Sequence, residues 1–133
     1  MLELINIQKK FNQTEVLKNI NLTVNPGEKI TIIGTSGSGK STILKLILGL
    51  IGYDSGNIIY DGLSTKNLTT SRFYEYRKRF GLLFQSSALF DSLSVEENIA
   101  FPITEQPNNL SKGEVNRRVD QALDLVEMSG SNN

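Results

Sequence analysis

The chain has 133 residues, of which 38% are hydrophobic and 21% charged, and its 14 basic and 14 acidic residues give a formal net charge of zero. This composition is typical of one globular domain and excludes a disordered chain, and the balanced charge provides no long-range field to attract nucleic acid or an anionic membrane. The sequence contains no cysteine and no histidine. A disulfide framework, a thiolate metal site and an imidazole base are therefore excluded, and any metal must be bound by oxygen.

Neither a targeting signal nor a membrane-spanning segment is visible in the sequence. No stretch approaches the roughly 18 apolar residues that a spanning helix needs. Residues 1–5 also lack the basic start and the long apolar run of a secretory signal. We therefore expect a cytosolic chain with no membrane span of its own.

The first segment of the chain is predicted to form a β-hairpin. Residues 2–7 alternate between apolar and polar side chains, and residues 16–24 form a second strand-like segment, with the hairpin tip at 13–15. The turn that follows contains Pro26 and Gly27, which suit the two central positions of a type II turn. This turn leads directly into the next predicted strand.

The segment 29–42 matches the phosphate-binding P-loop pattern. Its constrained positions are Gly34, Gly39, Lys40 and Ser41. A β-branched run at 30–33 predicts the strand before the loop, and the leucine-rich residues 43–50 predict the helix after it. The pattern predicts a nucleoside triphosphate site; the alternative is a glycine-rich turn that only joins a strand to a helix.

Each residue of the loop has a predicted role. The glycines allow successive backbone N–H groups to point into one concavity, to which the following helix adds its N-terminal partial positive charge. Lys40 is placed to reach the β- and γ-phosphates, the Ser41 hydroxyl to ligate Mg²⁺, and Thr42 to make a further phosphate contact. The predicted nucleotide-binding residues of the loop are Gly34, Thr35, Ser36, Gly37, Ser38, Gly39, Lys40, Ser41 and Thr42.

Three further elements are predicted before the chain becomes helical. Residues 57–60 form a short strand that ends at a tight Asp-Gly turn. Residues 71–79 are charged and aromatic, which predicts a surface helix, and the apolar run 81–84 predicts a buried strand that ends at Gln85.

Capping signals mark two helices in the last part of the chain. Ser94 with Glu97, and Ser111 with Glu114, have the spacing of reciprocal capping boxes. The second box predicts a helix over residues 112–128. Its predicted apolar face consists of Val115, Val119, Ala122, Leu123 and Val126.

Over residues 1–129 the chain resembles the ATP-binding subunits of ABC transporters. The P-loop corresponds to the Walker A motif, Phe11 stands where the family has its adenine-stacking aromatic, and Gln85 follows a strand as the Q-loop glutamine does. The resemblance implies bound ATP and Mg²⁺, with Lys40 and Gln85 in catalysis and with Ser41 and Gln85 at the metal. The residues alone also allow Phe11 to be a core residue of the hairpin and Gln85 to be an ordinary polar residue after a strand.

The implied fold is α/β, a truncated P-loop NTPase core of an ABC ATPase with an N-terminal antiparallel β-subdomain and the start of the helical subdomain. One partial domain, 1–133, would comprise a β-subdomain part at 1–28, a P-loop core part at 29–85 and the start of the helical subdomain at 86–133. The implied partners are integral-membrane permease subunits and a second ATP-binding subunit, at the cytoplasmic face of the cell membrane. We expect no nucleic-acid partner.

Residues 87–93, Ser-Ala-Leu-Phe-Asp-Ser-Leu, resemble the ATPases of Mla-type phospholipid transport, also known as toluene-tolerance proteins. This resemblance implies that ATP binding and hydrolysis are coupled to phospholipid transport. It also implies that Leu89, Phe90 and Leu93 contact a coupling helix of the permease. The alternative is that these three side chains belong to the core of the helical subdomain.

Three motifs of the family are missing from the sequence: the Walker B Asp-Glu pair, the Leu-Ser-Gly-Gly signature and the switch histidine. Lys112 replaces the first signature glycine in Leu-Ser-Lys-Gly-Glu, so we interpret that segment as a helix start. Without these motifs we expect very slow hydrolysis, because nothing polarises the attacking water. We also expect uncovered apolar surface at 30–33 and 82–84, and hence marginal stability or oligomerisation.

The sequence leaves alternatives open. The first is a truncated, non-catalytic nucleotide-binding or interaction fragment. The second is a stand-alone P-loop kinase or GTPase, although neither an arginine-rich lid nor an Asn-Lys-x-Asp motif is visible. Whether the chain is an ATPase by itself is therefore undecided by the sequence.

Overall fold

The structure is a computed structural model that describes residues 1–84, 89–105 and 110–130. The chain divides into two compact units, Met1–Gly81 and Leu82–Asn133. The first unit contains the sheet and the P-loop, and the second contains two helices. Within the described ranges, every helix is too short or too polar to span a bilayer.

A four-stranded antiparallel sheet forms the first unit, with the strand order β2-β1-β3-β4. The strands are β1 (Leu2–Phe11), β2 (Thr14–Val24), β3 (Ser55–Tyr60) and β4 (Leu63–Ser64). The predicted hairpin is confirmed, although its two-residue tip lies at Asn12 and Gln13, because strand pairing already resumes at Thr14. The predicted strand at 57–60 is also confirmed, and the turn after it has positive φ at both Asp61 and Gly62, as a tight hairpin requires.

A β-bulge at Asn6 sets which side chains of β1 face the core. Asn6 has a φ of 52°, and its N–H donates to Asn21 Oδ1 at 2.9 Å. The extra residue shifts the register between Leu4 and Ile7, so both of these side chains are buried although they are three positions apart. Simple alternation along the strand would have placed them on opposite faces.

Helix α1 (Lys40–Ile47) completes the core of the first unit. Ile43, Leu46 and Ile47 are its buried side chains. They form one cluster with the buried sheet residues Leu4, Ile7, Leu17 and Ile58. The P-loop helix predicted after the glycine-rich segment is therefore confirmed, and its apolar face anchors it to the sheet.

Helix α2 (Thr70–Arg77) confirms the predicted charged and aromatic helix, but one face of it is buried. Tyr76 is only 4% exposed and packs against Tyr60, Phe73 and Phe80, with ring centroids 4.9 to 5.8 Å apart. The Tyr76 hydroxyl donates to the carbonyl oxygen of Ile47, at the end of α1. A polar aromatic side chain thus joins α2 to the P-loop helix.

We expect the stability of the chain to fall at high pH because of Tyr76. Burial raises the pKa of the Tyr76 phenol from 10.0 to about 12. The unfolded chain therefore loses this proton first, so the contribution of Tyr76 to stability is intact below about pH 10 and falls by about 2 kcal/mol as the pH rises to 12. Urea unfolding across this range should show a clearly smaller loss in Tyr76→Phe. Tyr74→Phe, at a ring that is 45% exposed, should keep the wild-type loss.

The predicted strands at 30–33 and 81–84 are not formed. Both segments are irregular, and no other described strand pairs with either of them. Ile33 and Leu83 are each 90% exposed, as expected for apolar segments that have no paired strand beside them. The strand assignments were wrong for this chain, but the expectation of uncovered apolar surface at these segments is confirmed.

This exposed apolar surface should bind a hydrophobic dye. We expect the folded chain to enhance anilinonaphthalene sulfonate fluorescence, and the double substitution Ile33→Ser and Leu83→Ser to reduce that enhancement, because it removes the two most exposed aliphatic side chains. We also expect the melting temperature to depend on protein concentration. A melting temperature independent of concentration, together with no dye enhancement, would contradict the expectation.

The second unit contains α3 (Val95–Thr104) and α4 (Lys112–Leu125), which pack against each other. The capping box of Ser94 and Glu97 is confirmed in both directions, with bonds of 3.2 and 2.8 Å. At α4 only half of the predicted box forms: the Ser111 hydroxyl accepts from the Glu114 N–H at 3.3 Å. The Glu114 carboxylate does not reach back, because Arg117 and Arg118 hold it at 2.7 to 2.9 Å.

The apolar face of α4 is confirmed except at its end. Val119 and Leu123 are buried, and Val115 and Ala122 are half-buried. Val126 is 62% exposed because the helix ends at Leu125, before the predicted end at 128. The bidentate contact from Arg117 and the single hydrogen bond from Arg118 also hold the pKa of Glu114 low, at about 2.

Candidate P-loop nucleotide site

The P-loop adopts a turn that only glycine accommodates easily. Gly37 and Gly39 have φ angles of 80° and 92°, in the left-handed region. Between them, the Ser38 N–H donates to the Thr35 carbonyl at 3.3 Å and closes the turn. Two of the three glycines predicted to curl the backbone, Gly37 and Gly39, therefore do so, whereas Gly34 does not have a positive φ.

Close packing on the sheet fixes the end of the loop. A Cβ atom at Gly39 would lie 2.7 Å from Leu17 Cδ2 and 3.3 Å from the carbonyl oxygen of Val16, both on β2. Leu17 is itself buried, so it has little room to move. Sequence reasoning did not identify Val16 and Leu17 as supports of the loop, because no local signal connects a hairpin strand to a glycine in the P-loop.

The first turn of α1 has the properties of an anion site. The residue before it is Gly39, and no side chain caps the helix. Among the described α-helices, the other three begin with side-chain caps, at Thr69, Ser94 and Ser111. The first turn of α1 also contains no acidic residue. Its unpaired backbone N–H groups and its positive helix end thus remain available for an anion.

Lys40 adds a full positive charge to this end of the helix. Its Nζ donates to the carbonyl oxygens of Gly34 and Thr35 at 2.8 and 2.6 Å, and to Ser38 Oγ at 3.4 Å. In the part of the chain that the structure describes, no carboxylate lies within 4.0 Å of this ammonium. The ammonium is therefore solvated by loop carbonyls and not neutralised, as a phosphate-binding lysine requires.

Phe11 presents an open aromatic ring at the end of β1. The side chain is 45% exposed, so the alternative of an ordinary hairpin core residue is wrong. Lys9 Nζ lies 5.4 Å from the ring centroid and also pairs with Asp54 at 3.0 Å. Hydrogen bonds hold the pKa of the Asp54 carboxyl below its usual value; the bond from the Lys10 N–H has the largest effect, followed by the bond from the Lys9 ammonium. The ring thus lies beside a fixed cation, with a face available for stacking.

The predicted metal ligands are only partly placed. The Ser41 side chain is exposed in the first turn of α1, and Thr42 is half-buried next to it. Gln85 lies outside the described residues. The described ranges contain no group of three or more His, Cys, Asp or Glu side chains that could hold a metal ion. Of the two predicted metal ligands, the described residues therefore include Ser41 alone.

Sequence comparison places this site in a known family. Residues 17–133 match the family described as ABC transporter. The spermidine/putrescine import ATP-binding protein PotA of Thermotoga maritima is 41% identical over 123 residues, which are 92% of this chain and 32% of PotA. The intermembrane phospholipid transport system ATP-binding protein MlaF of Haemophilus influenzae is 38% identical over 131 residues, which are 98% of this chain and 49% of MlaF.

Solved structures agree with this assignment. The dimeric ATP-binding cassette MJ0796, in a post-hydrolysis state bound to ADP and Pi, matches with a TM-score of 0.83 and 31% identity, over 100% of this chain and 61% of that one. The α/β fold of an ABC ATPase, with its antiparallel β-subdomain, is thereby confirmed. The chain spans a third to a half of the length of the two relatives described above. It belongs to the ABC transporter ATP-binding family.

Proposed function

We propose that the chain is the N-terminal part of the ATP-binding subunit of an ABC transporter and that its P-loop binds ATP. The observation that carries this proposal is the uncapped first turn of α1 with the uncompensated Lys40 ammonium beside it. A buried or neutralised lysine would not suit a polyphosphate, whereas this arrangement leaves both the backbone N–H groups and the cation for it.

The residues divide between the phosphates and the base. The backbone N–H groups of 36–42 surround the phosphates, and Lys40 exchanges its bonds to the Gly34 and Thr35 carbonyls for bonds to phosphate oxygens. The exposed Phe11 ring stacks on adenine. Ser41 and Gln85 supply oxygens to Mg²⁺, which when bound neutralises charge on the phosphates.

The proposed partners follow from the relatives. MJ0796 is dimeric, and the relatives are import or lipid-transport ATP-binding proteins. We infer that the complete subunit pairs with a second ATP-binding subunit and with integral-membrane permease subunits, and that it lies on the cytoplasmic face of the cell membrane. The proposed regions of the chain are 1–28, 29–85 and 86–133, with Leu89, Phe90 and Leu93 as candidate permease contacts. Leu89 and Phe90 are 64% and 47% exposed, which supports a contact role over a core role.

Phospholipid is the proposed cargo of the transporter. The run at 87–93 supports an Mla-type subunit, and MlaF aligns over nearly the whole chain. PotA aligns with similar identity, so overall similarity does not separate a lipid from a polyamine. The local run therefore carries this part of the proposal.

A second candidate is a nucleotide-binding fragment that does not hydrolyse ATP. It is favoured by the absence, in the described ranges, of a carboxylate cluster that could hold Mg²⁺. Both candidates predict ATP binding. They differ in turnover, which the first assigns only to the complete subunit.

Titration of the chain with ATP and Mg²⁺ tests the site. We expect Lys40→Ala to weaken binding at least about tenfold, since it removes a charge-assisted phosphate contact. Lys45→Ala is the matched control, because Lys45 lies in the last turn of the same helix, and it should bind as the wild type does. Equal affinity in wild type and Lys40→Ala would refute the proposed site.

A further inference from the structure

The last turn of the P-loop helix is held by two adjacent side chains of α2. The Tyr76 hydroxyl donates to the carbonyl of Ile47. Arg77 donates from Nε to the carbonyl of Leu48 at 3.0 Å and from a terminal nitrogen to the carbonyl of Gly49 at 2.6 Å. Three successive carbonyls, those of the last residue of α1 and of the two residues after it, are therefore satisfied from one neighbouring element.

The geometry of this contact is tightly constrained. Gly49 has a φ of 60°, and a Cβ atom there would lie 2.1 Å from the Phe73 ring. Phe73 occupies that space and stacks under the Arg77 guanidinium, whose central carbon is 4.9 Å from the ring centroid. The planar guanidinium is thus oriented by a ring on one side and by two carbonyls along its edge.

We propose that Arg77 and Tyr76 are positioning residues for phosphate binding, acting through α1. The inference rests on the proposed function of the P-loop. Helix α1 has only eight residues, so about 12 Å separate its clamped end from its first turn. The first turn has no side-chain cap of its own. The clamp at the opposite end therefore helps to fix the direction in which the phosphate-binding N–H groups point.

The clamp also complements the charge of the helix. Arg77 places a cation at the negative end of α1, while the positive end faces the phosphate site. Because α2 supplies all three donors, a movement of α2 would be transmitted to the first turn of α1. The position of α2 is thereby linked to the affinity for nucleotide.

The test compares the affinity for ATP with that for adenosine, which has the base but no phosphate. Both are titrated, with ligand-observed NMR, into the full 133-residue chain. In Arg77→Ala we expect about tenfold weaker binding of ATP and unchanged binding of adenosine, because only the phosphate end of the site is misdirected. Tyr76→Phe, which keeps the ring and loses one donor, should have a smaller effect in the same direction.

Two further variants separate positioning from a general loss of positive charge. Arg79→Ala removes the same charge two residues later, where the guanidinium contacts Asp61 and Tyr60 and not α1, so it should bind ATP as the wild type does. Arg77→Lys keeps the charge without the planar fork, and we expect partial loss of ATP affinity.

The outcomes are distinguishable. Unchanged ATP affinity in both Arg77→Ala and Tyr76→Phe, or full rescue by Arg77→Lys, would overturn the inference. If Arg77→Ala fails to fold, Tyr76→Phe and Arg77→Lys decide. Loss of ATP and adenosine binding in parallel would show a general folding defect and would also overturn it. A wild type that does not bind ATP would refute the proposed function itself.

Discussion

Gly56→Ala should destabilise the chain by about 2 to 4 kcal/mol, a large part of the stability of a small domain. Gly56 lies on β3 opposite the bulge of β1 and has a φ of 95°. A Cβ atom there would lie 2.5 Å from the carbonyl oxygens of both Ile5 and Asn6. These are backbone atoms of a paired strand, so β1 and β3 would have to separate locally to make room. Urea unfolding, followed by circular dichroism, measures the loss.

Gly62→Ala is the matched control for this substitution. Gly62 also has a positive φ, 78°, but a Cβ atom there would meet nothing within 4 Å. Its cost should therefore be that of the backbone conformation alone, about 1 kcal/mol. Equal losses in the two variants would show that the close approach of β3 to the bulge is not a constraint.

Ile7→Ala should cost about 2 to 5 kcal/mol, because it leaves a cavity at the centre of the core of the first unit. Ile7 is 0% exposed and belongs to the cluster that joins the sheet to α1. The same loss of stability should weaken the apparent affinity for ATP under conditions in which a fraction of the molecules is unfolded, because unfolded molecules cannot bind ATP.

Ile33→Ala is the control for this core substitution. It removes the same atoms from a side chain that is 90% exposed, so in dilute solution, where the chain is monomeric, it should change the free energy of unfolding by less than about 0.5 kcal/mol. A loss in Ile33→Ala as large as that in Ile7→Ala would mean that residues 30–33 are covered in solution, by a second copy of the chain or by another arrangement.

Local chemistry explains which parts of the structure were predictable. The hairpin, its turns, the P-loop helix and the caps at Ser94 and Ser111 each depend on residues close together in sequence. The positive φ angles of Gly37 and Gly39 were likewise predictable, because the P-loop pattern requires glycine where the backbone must curl. The nucleotide site could therefore be located from the sequence alone.

Features that depend on distant neighbours were not predictable in this way. The apolar run at 30–33 has strand composition, yet no described strand pairs with it, and pairing is what makes a strand. The Glu114 carboxylate could have completed a capping box, but Arg117 and Arg118 compete for it. No spacing rule anticipates that Tyr76 and Arg77 contact the end of α1.

The sequence by itself determined that this chain carries a P-loop between a β-hairpin and a helix, because the spacing of Gly34, Gly39, Lys40 and Ser41 is a local constraint on the backbone. Only the tertiary structure decided that Phe11 is exposed, that Gly39 rests against β2 and that α2 clamps the far end of α1. Burial, close approach and carbonyl pairing each join residues that are far apart in the sequence, so they exist only once the chain has folded.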